Sequence, residues 1–199
     1  MVFADSEPVA GGVRVSTAPA AVKILVAGGF GVGKTTLVGA VSEVAPLHTE
    51  EYLTVASEGV DDVGGLEEKT TTTVAMDFGR ITVNPQLVVY LFGTPGQERF
   101  WFMWNDLVNG ALGAIVLADT RRLESSFASI DFFESRGIPF VIGVNCFHGH
   151  VDRREQEVRD ALSLGSEVPL MMGDMRRKEV GRDLLLALVE HLIEVMAAP

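Results

Sequence analysis

Basic residues are scarce in this chain: 16 Lys and Arg stand against 27 Asp and Glu, giving a net charge of −11. A nucleic-acid binder usually presents a basic stripe, so this balance argues against one. It leaves small phosphate ligands open, because a phosphate pocket is built from a few local groups. Cysteine is nearly absent as well. The single thiol, Cys146, cannot form an internal disulfide, which fits a reducing cytoplasm. No apolar run approaches the ~18 residues of a membrane span. The opening MVFADSEPVA lacks the basic flank and apolar core of a signal peptide, and neither end carries a lipidation motif. The expectation is a cytoplasmic protein with no direct membrane anchor, which meets a membrane only through partners.

What is present suits one globular domain: 199 residues, 47% hydrophobic and 22% charged. Residues 1–20, rich in Ala, Gly, Pro and Ser, read as a flexible tail, and residues 21–199 as the domain. From Ala21 onward apolar runs alternate with helical patterns. VKILVAG reads as a buried strand and KTTLVGAVSEV as the helix after it. An irregular, acidic stretch follows over 46–72, too long for an ordinary connection and therefore functional or mobile. VAMDFGRITV and QLVVYLF flank Asn84-Pro85 as a hairpin. GAIVLA, PFVIGVN and VPLMM are further strands, with helical patterns at 125–136, 153–162 and 178–197. Asp152 with Glu155 three residues on reads as an N-cap pair. Such alternation predicts an α/β fold with a mostly parallel sheet covered on both faces.

GGFGVGKTT carries the strongest motif. Gly28, four residues and then Gly33-Lys34-Thr35 make the G-x-x-x-x-G-K-[ST] phosphate loop, set between a predicted strand and a predicted helix. Through Gly28, Gly29, Phe30, Gly31, Val32 and Gly33 the backbone N–H groups can turn inward around phosphates. The following helix adds its N-terminal dipole, with Thr36 in its first turn. Lys34 is placed to reach the β- and γ-phosphates and the Thr35 hydroxyl to ligate Mg²⁺.

The threonine cluster KTTTTVAMDF and the TPGQERF that follows the hairpin complete a pattern that resembles the Ras-like small GTPases. More narrowly it is similar to the bacterial gliding-motility and cell-polarity GTPases and the D-component GTPases of actinobacterial conservons. The resemblance implies a P-loop NTPase fold with a six-stranded, mostly parallel sheet and one antiparallel edge strand. It also implies GTP/GDP and Mg²⁺ as ligands. By position, Thr73 matches the threonine that closes over Mg²⁺ and the γ-phosphate, with Thr70–Thr72 as competitors and a polar strand end as the plainer reading. Gly96 matches the γ-phosphate N–H donor, and Gln97 the residue that orients the attacking water.

The metal loop and the base motif both depart from that family. Gly93 stands where the loop before PGQ normally holds an aspartate. A tight turn at Asn84-Pro85 puts Asp77 across from Phe92 or Gly93, so a carboxylate from the neighbouring strand can serve the metal instead. The plainer alternative leaves Asp77 facing solvent. In the base motif Asn-Lys-x-Asp, the chain keeps Asn145 but has Cys146 for the lysine and His148 for the aspartate. A neutral histidine accepts one hydrogen bond where a carboxylate accepts two. Asp174 is then the candidate guanine reader and Met175 the N–H donor to the base oxygen. Cys146, His148 and His150 on one short loop read as coincidence rather than a metal site.

Phe30 replaces a glycine at a position where bulk crowds an incoming arginine, and 46–73 holds Lys69 but no arginine. Hydrolysis is therefore expected to be slow without an activator. The conservon resemblance implies a Roadblock-type protein, a small companion protein and a sensor-kinase-like membrane protein as partners. RFWFMW, just past Gln97, reads as a surface on which part of Trp101, Phe102 and Trp104 docks the Roadblock-type partner, against a reading in which Phe100 and Met103 or Trp104 fill the core. Two rivals stay open at this point: a pseudo-GTPase that holds nucleotide only as scaffold, and a P-loop ATPase or kinase.

Overall fold

The computed structural model describes residues 18–45, 47–54 and 71–197, with backbone only at 47–54, 71–75 and 98–99. Seven strands form one sheet: β1 (Ala20–Gly28), β2 (Leu47–Thr54), β3 (Thr71–Asn84), β4 (Leu87–Gly93), β5 (Ala111–Ala118), β6 (Phe140–Asn145) and β7 (Leu170–Gly173). The helices are α1 (Lys34–Val41), α2 (Trp104–Leu107), α3 (Phe127–Glu134), α4 (Glu155–Ala161) and α5 (Lys178–Ala197). The strand order is β2-β3-β4-β1-β5-β6-β7, with only β3 running against the rest.

β1 is central because it can be buried on both faces. Ile24 and Val26 face α1 and α5, while Leu25 and Ala27 face α3 and α4. On α5, Leu184, Leu188 and Leu192 recur every four residues and lay one stripe on the first face. On the other, Phe133 of α3 and Val158 of α4 close a second cluster over Val116 and Ile142. Folded this way, the carboxyl end of β1 lies between β4 and β5, where the strand order reverses. Open α/β sheets bind ligands at such a crevice.

The six expected strands are all present, one antiparallel to the others, with helices on both faces. A seventh lies outside them: Leu47–Thr54, within the irregular acidic stretch, pairs with β3 and covers the expected sheet edge. Its composition, LHTEEYLT, hid it, since a strand with a polar side shows no continuous apolar run. The N-cap pair is also corrected. α4 is capped at Arg154, whose N–H donates to Glu157 (3.0 Å), and Asp152 lies two residues outside it. The basis for Asp152-Glu155 was spacing alone, and the Glu157 box two residues later won.

Candidate functional site

β1 ends at Gly28 and α1 starts at Lys34, so the phosphate loop spans the crevice. Gly31 and Gly33 adopt φ of 75° and 108°, a region that favours glycine and lets successive N–H groups point one way. The Lys34 ammonium folds back over the loop and donates to the carbonyls of Gly28 (2.9 Å) and Gly29 (2.8 Å). Burial pulls its pKa down to about 8, with the Asp77 carboxylate opposing that shift. The Phe30 side chain projects into solvent, 68% exposed.

Hairpin register puts Phe78 opposite Phe92, which leaves Asp77 and Gly93 as neighbours. A Cβ at Gly93 would stand 2.9 Å from both Cβ and Oδ2 of Asp77. Asp77 therefore fills the space that a side chain at 93 would need. Its Oδ2 accepts a 2.7 Å hydrogen bond from the Thr35 hydroxyl. Next along the chain, the Thr94 hydroxyl is buried and has no hydrogen-bond partner among the described residues. Gly96 approaches the phosphate loop closely, since a Cβ there would lie 2.6 Å from Lys34 Nζ and 2.9 Å from Phe30 N. Gln97 begins a short 3-10 turn, Glu98–Met103, and is half-buried. Thr73 lies in β3 with its backbone opposite Tyr52. Its side chain, and so its assignment to the metal, lies outside the described residues, as does all of Thr70.

Asn145 ties the two ends of the site together. Its amide donates to Val32 O (2.9 Å) in the phosphate loop, and its Oδ1 accepts from Met175 N (3.2 Å). A Cβ at Gly33 would meet that amide nitrogen at 2.6 Å. The Met175 N–H, expected to meet a base oxygen, donates here to Asn145, and its side chain is fully buried. Asp174, the expected guanine reader, is engaged as well. Arg176 grips its carboxylate with three side-chain hydrogen bonds and holds its pKa down to about 2. Cys146 packs into the core, and burial pushes its thiol up. His148 takes a left-handed conformation (φ 57°).

Sequence reasoning missed the wall beside Asn145. A cavity of about 300 Å³ is lined there by Thr120, Arg121, Asn145, Phe147, His148, His150 and Asp152. Asp119, buried at the end of β5, accepts two hydrogen bonds from the Arg121 guanidinium (2.9 and 2.8 Å). These bonds hold its carboxyl below the usual range, and they aim Arg121 over the Phe147 ring, 4.1 Å from its centroid. The available signal was ADTRR: a carboxylate directly after a wholly apolar strand, followed by two arginines.

In RFWFMW, Trp104 is core rather than contact surface. Its indole N–H donates to Pro95 O (3.1 Å), and its ring packs edge-on against Phe132 and parallel to Phe133. Phe100 is buried as well, while Trp101 and Phe102 are 36% and 60% exposed.

Residues 26–195 match the family described as conserved hypothetical ATP binding protein. The chain belongs to that family. An uncharacterized protein of Methanocaldococcus jannaschii is 34% identical over 126 residues, covering 62% of this chain and 69% of its own. Among solved structures, the G domain of the T. maritima FeoB iron transporter superposes with a TM-score of 0.59 at 18% identity. It covers 86% of this chain and 99% of that domain. The FeoB G domain from Methanococcus jannaschii gives 0.56 at 13% identity, over 87% of this chain and 98% of that one. The cytosolic domain of the T. maritima transporter in a GDP form gives 0.59 at 19%, over 87% of this chain, which spans only 64% of it. At such identities the likeness establishes the fold: a P-loop domain of the G-domain type.

Proposed function

We propose that this family member is a Mg²⁺-dependent GTP-binding switch that hydrolyses GTP slowly on its own and recruits partners in its GTP state. The observation that carries this reading is the Thr35–Asp77 hydrogen bond in the space left by Gly93. A hydroxyl and a carboxylate oxygen together at a phosphate loop are the hard oxygen donors that Mg²⁺ takes. The buried, unpartnered Thr94 hydroxyl fits the same purpose, since buried polar groups are normally satisfied and a hydrated ion would satisfy it. Thr35 and Asp77 would hold the ion, with Thr73 added by resemblance. When bound, Mg²⁺ neutralises charge on the β- and γ-phosphate oxygens.

The chain's own groups supply the rest. Lys34 reaches the β- and γ-phosphates, Gly96 N–H meets the γ-phosphate, and Gln97 orients water toward the γ-phosphorus. As the water oxygen bonds to that phosphorus, one of its protons passes to a γ-phosphate oxygen, the bond to the β–γ bridging oxygen breaks and its electron pair leaves with GDP. The aromatic pair Trp101 and Phe102, next to Gln97, is the surface proposed for a partner, a Roadblock-type protein by resemblance. A small companion protein and a sensor-kinase-like membrane protein complete the proposed set, and recruitment to a membrane would pass through them.

The test is a Mg²⁺ titration of bound fluorescent GDP and GTP. Asp77→Ala should shift the midpoint upward about tenfold and slow hydrolysis. An unchanged midpoint removes Asp77 from the metal site. A second reading, an ATP-binding protein on the same fold, is favoured by one observation: the Asp174 carboxylate is engaged by Arg176. Calorimetry decides between them. GTP should bind more tightly than ATP, and equal affinities would replace the GTPase reading.

A further inference from the structure

Arg122 is a charged group beside the phosphate loop that the scheme above leaves unused. The loop between β5 and α3 wraps the outside of the phosphate loop. A Cβ at Gly29 would lie 2.6 Å from Ser125 Oγ, and one at Gly31 would lie 3.7 Å from Arg122 Nη2. Arg122 donates from Nη2 to the Phe30 carbonyl at 3.3 Å, a long contact to a neutral acceptor. Its other partner, Asp119, is 3.9 Å away and already holds Arg121 in a two-point grip. A guanidinium has five N–H donors in a rigid fork that matches phosphate oxygens. Here that fork is half-exposed beside Phe30 and Gly31, whose N–H groups belong to the phosphate cradle.

We propose that Arg122 turns from the Phe30 carbonyl onto the terminal phosphates of a bound nucleoside triphosphate. It would act as an in-chain cation that favours triphosphate over diphosphate. This rests on the triphosphate-binding reading above. It also answers a difficulty in that reading, because Phe30 crowds an arginine arriving from outside while Arg122 approaches from the protein's own β5–α3 loop. Lys34 and Arg122 would then flank the phosphates from the two sides of the phosphate loop.

The test compares Mg²⁺-GTPγS and Mg²⁺-GDP affinities in the full chain for wild type, Arg122→Ala, Arg122→Gln and Arg122→Lys, with melting temperatures. Glutamine can still donate to the Phe30 carbonyl but carries no charge, which separates a loop brace from a phosphate contact. Alanine and glutamine variants should each lose about tenfold to a hundredfold in GTPγS affinity while changing GDP affinity less than about threefold. Lysine should recover part of the loss, and all should melt with the wild type. Equal losses for both nucleotides, or a glutamine variant that behaves as wild type, would make Arg122 a structural brace and overturn the proposal. A wild type that binds GTPγS normally with no Arg122 effect removes only this proposal. A wild type that binds neither nucleotide removes the switch reading, and this one with it.

Discussion

The phosphate loop and the base loop are joined by one side chain, Asn145, yet they depart from their family pattern very differently. At the phosphate end the one missing group, the carboxylate at 93, has a replacement that occupies its space. At the base end two substitutions stand together, and the carboxylate expected to compensate is bound to Arg176. The chemistry of each end accounts for the contrast. A phosphate cradle is made of backbone N–H groups, and a metal needs oxygens at the right place whatever strand supplies them. A base is read by a fixed order of donors and acceptors along one edge, so a carboxylate from elsewhere restores it only if it meets that same edge.

Removing the phosphate end should have the largest effect. Lys34→Ala leaves the cradle without its ammonium and should weaken Mg²⁺-GDP binding by about a hundredfold, read by calorimetry. His148→Ala should change the same affinity by less than about threefold, since an exposed ring on the cavity wall offers the base at most one hydrogen bond. If the two losses are equal, the contrast between the ends collapses.

The next largest effect comes from moving the carboxylate back. Gly93→Asp alone forces a new side chain to within 2.9 Å of Asp77 and sets two carboxylates together. It should destabilise the protein by about 1–3 kcal/mol, seen as a lower melting temperature. Adding Asp77→Gly should relieve the clash and restore the Mg²⁺ midpoint to within about threefold of wild type. A double variant as defective as the single one would show that the site depends on the strand of origin, not on the oxygen.

How much of this was legible follows the same division. Strand-helix alternation, the G-x-x-x-x-G-K-T spacing and the hairpin turn are local patterns, and they led to the fold, the phosphate loop and the Asp77–Gly93 adjacency. β2 escaped because LHTEEYLT is polar, and its place is set by pairing with β3, a tertiary fact. Trp104 was not singled out because five consecutive apolar residues carry no period, and Phe132 and Phe133, about thirty residues on, make it core. Asp174 and Met175 were placed by loop position. Their hydrogen bonds depend on Arg176 and on Asn145, contacts that spacing does not encode.

A smaller change should sharpen the base end. His148→Asp restores a two-point acceptor and should raise the GTP-to-ATP affinity ratio about tenfold. Asp152, on the cavity wall that sequence reasoning missed, offers the converse. Asp152→Asn should lower the ratio if that carboxylate reads guanine, and competition binding against both nucleotides measures each shift. No movement in either variant would place the base outside this cavity.

The smallest effect is a pH dependence peculiar to the phosphate end. In the ligand-free protein burial lowers the Lys34 pKa from 10.5 to about 8. The unfolded chain therefore binds more protons than the folded one between those values, so stability should rise with pH across that window and the cost of burying the ammonium is largest below it. Nucleotide phosphates favour the charged form and raise the pKa again, so binding above about pH 8 must take up a proton. Affinity for Mg²⁺-GDP should then be flat below pH 7 and about three- to fourfold weaker by pH 8.5. Calorimetry in two buffers of different ionisation heat would show the proton uptake directly. Affinity independent of pH over that range would mean that Lys34 stays charged in the empty loop, held by the Gly28 and Gly29 carbonyls and by Asp77 more strongly than burial opposes it.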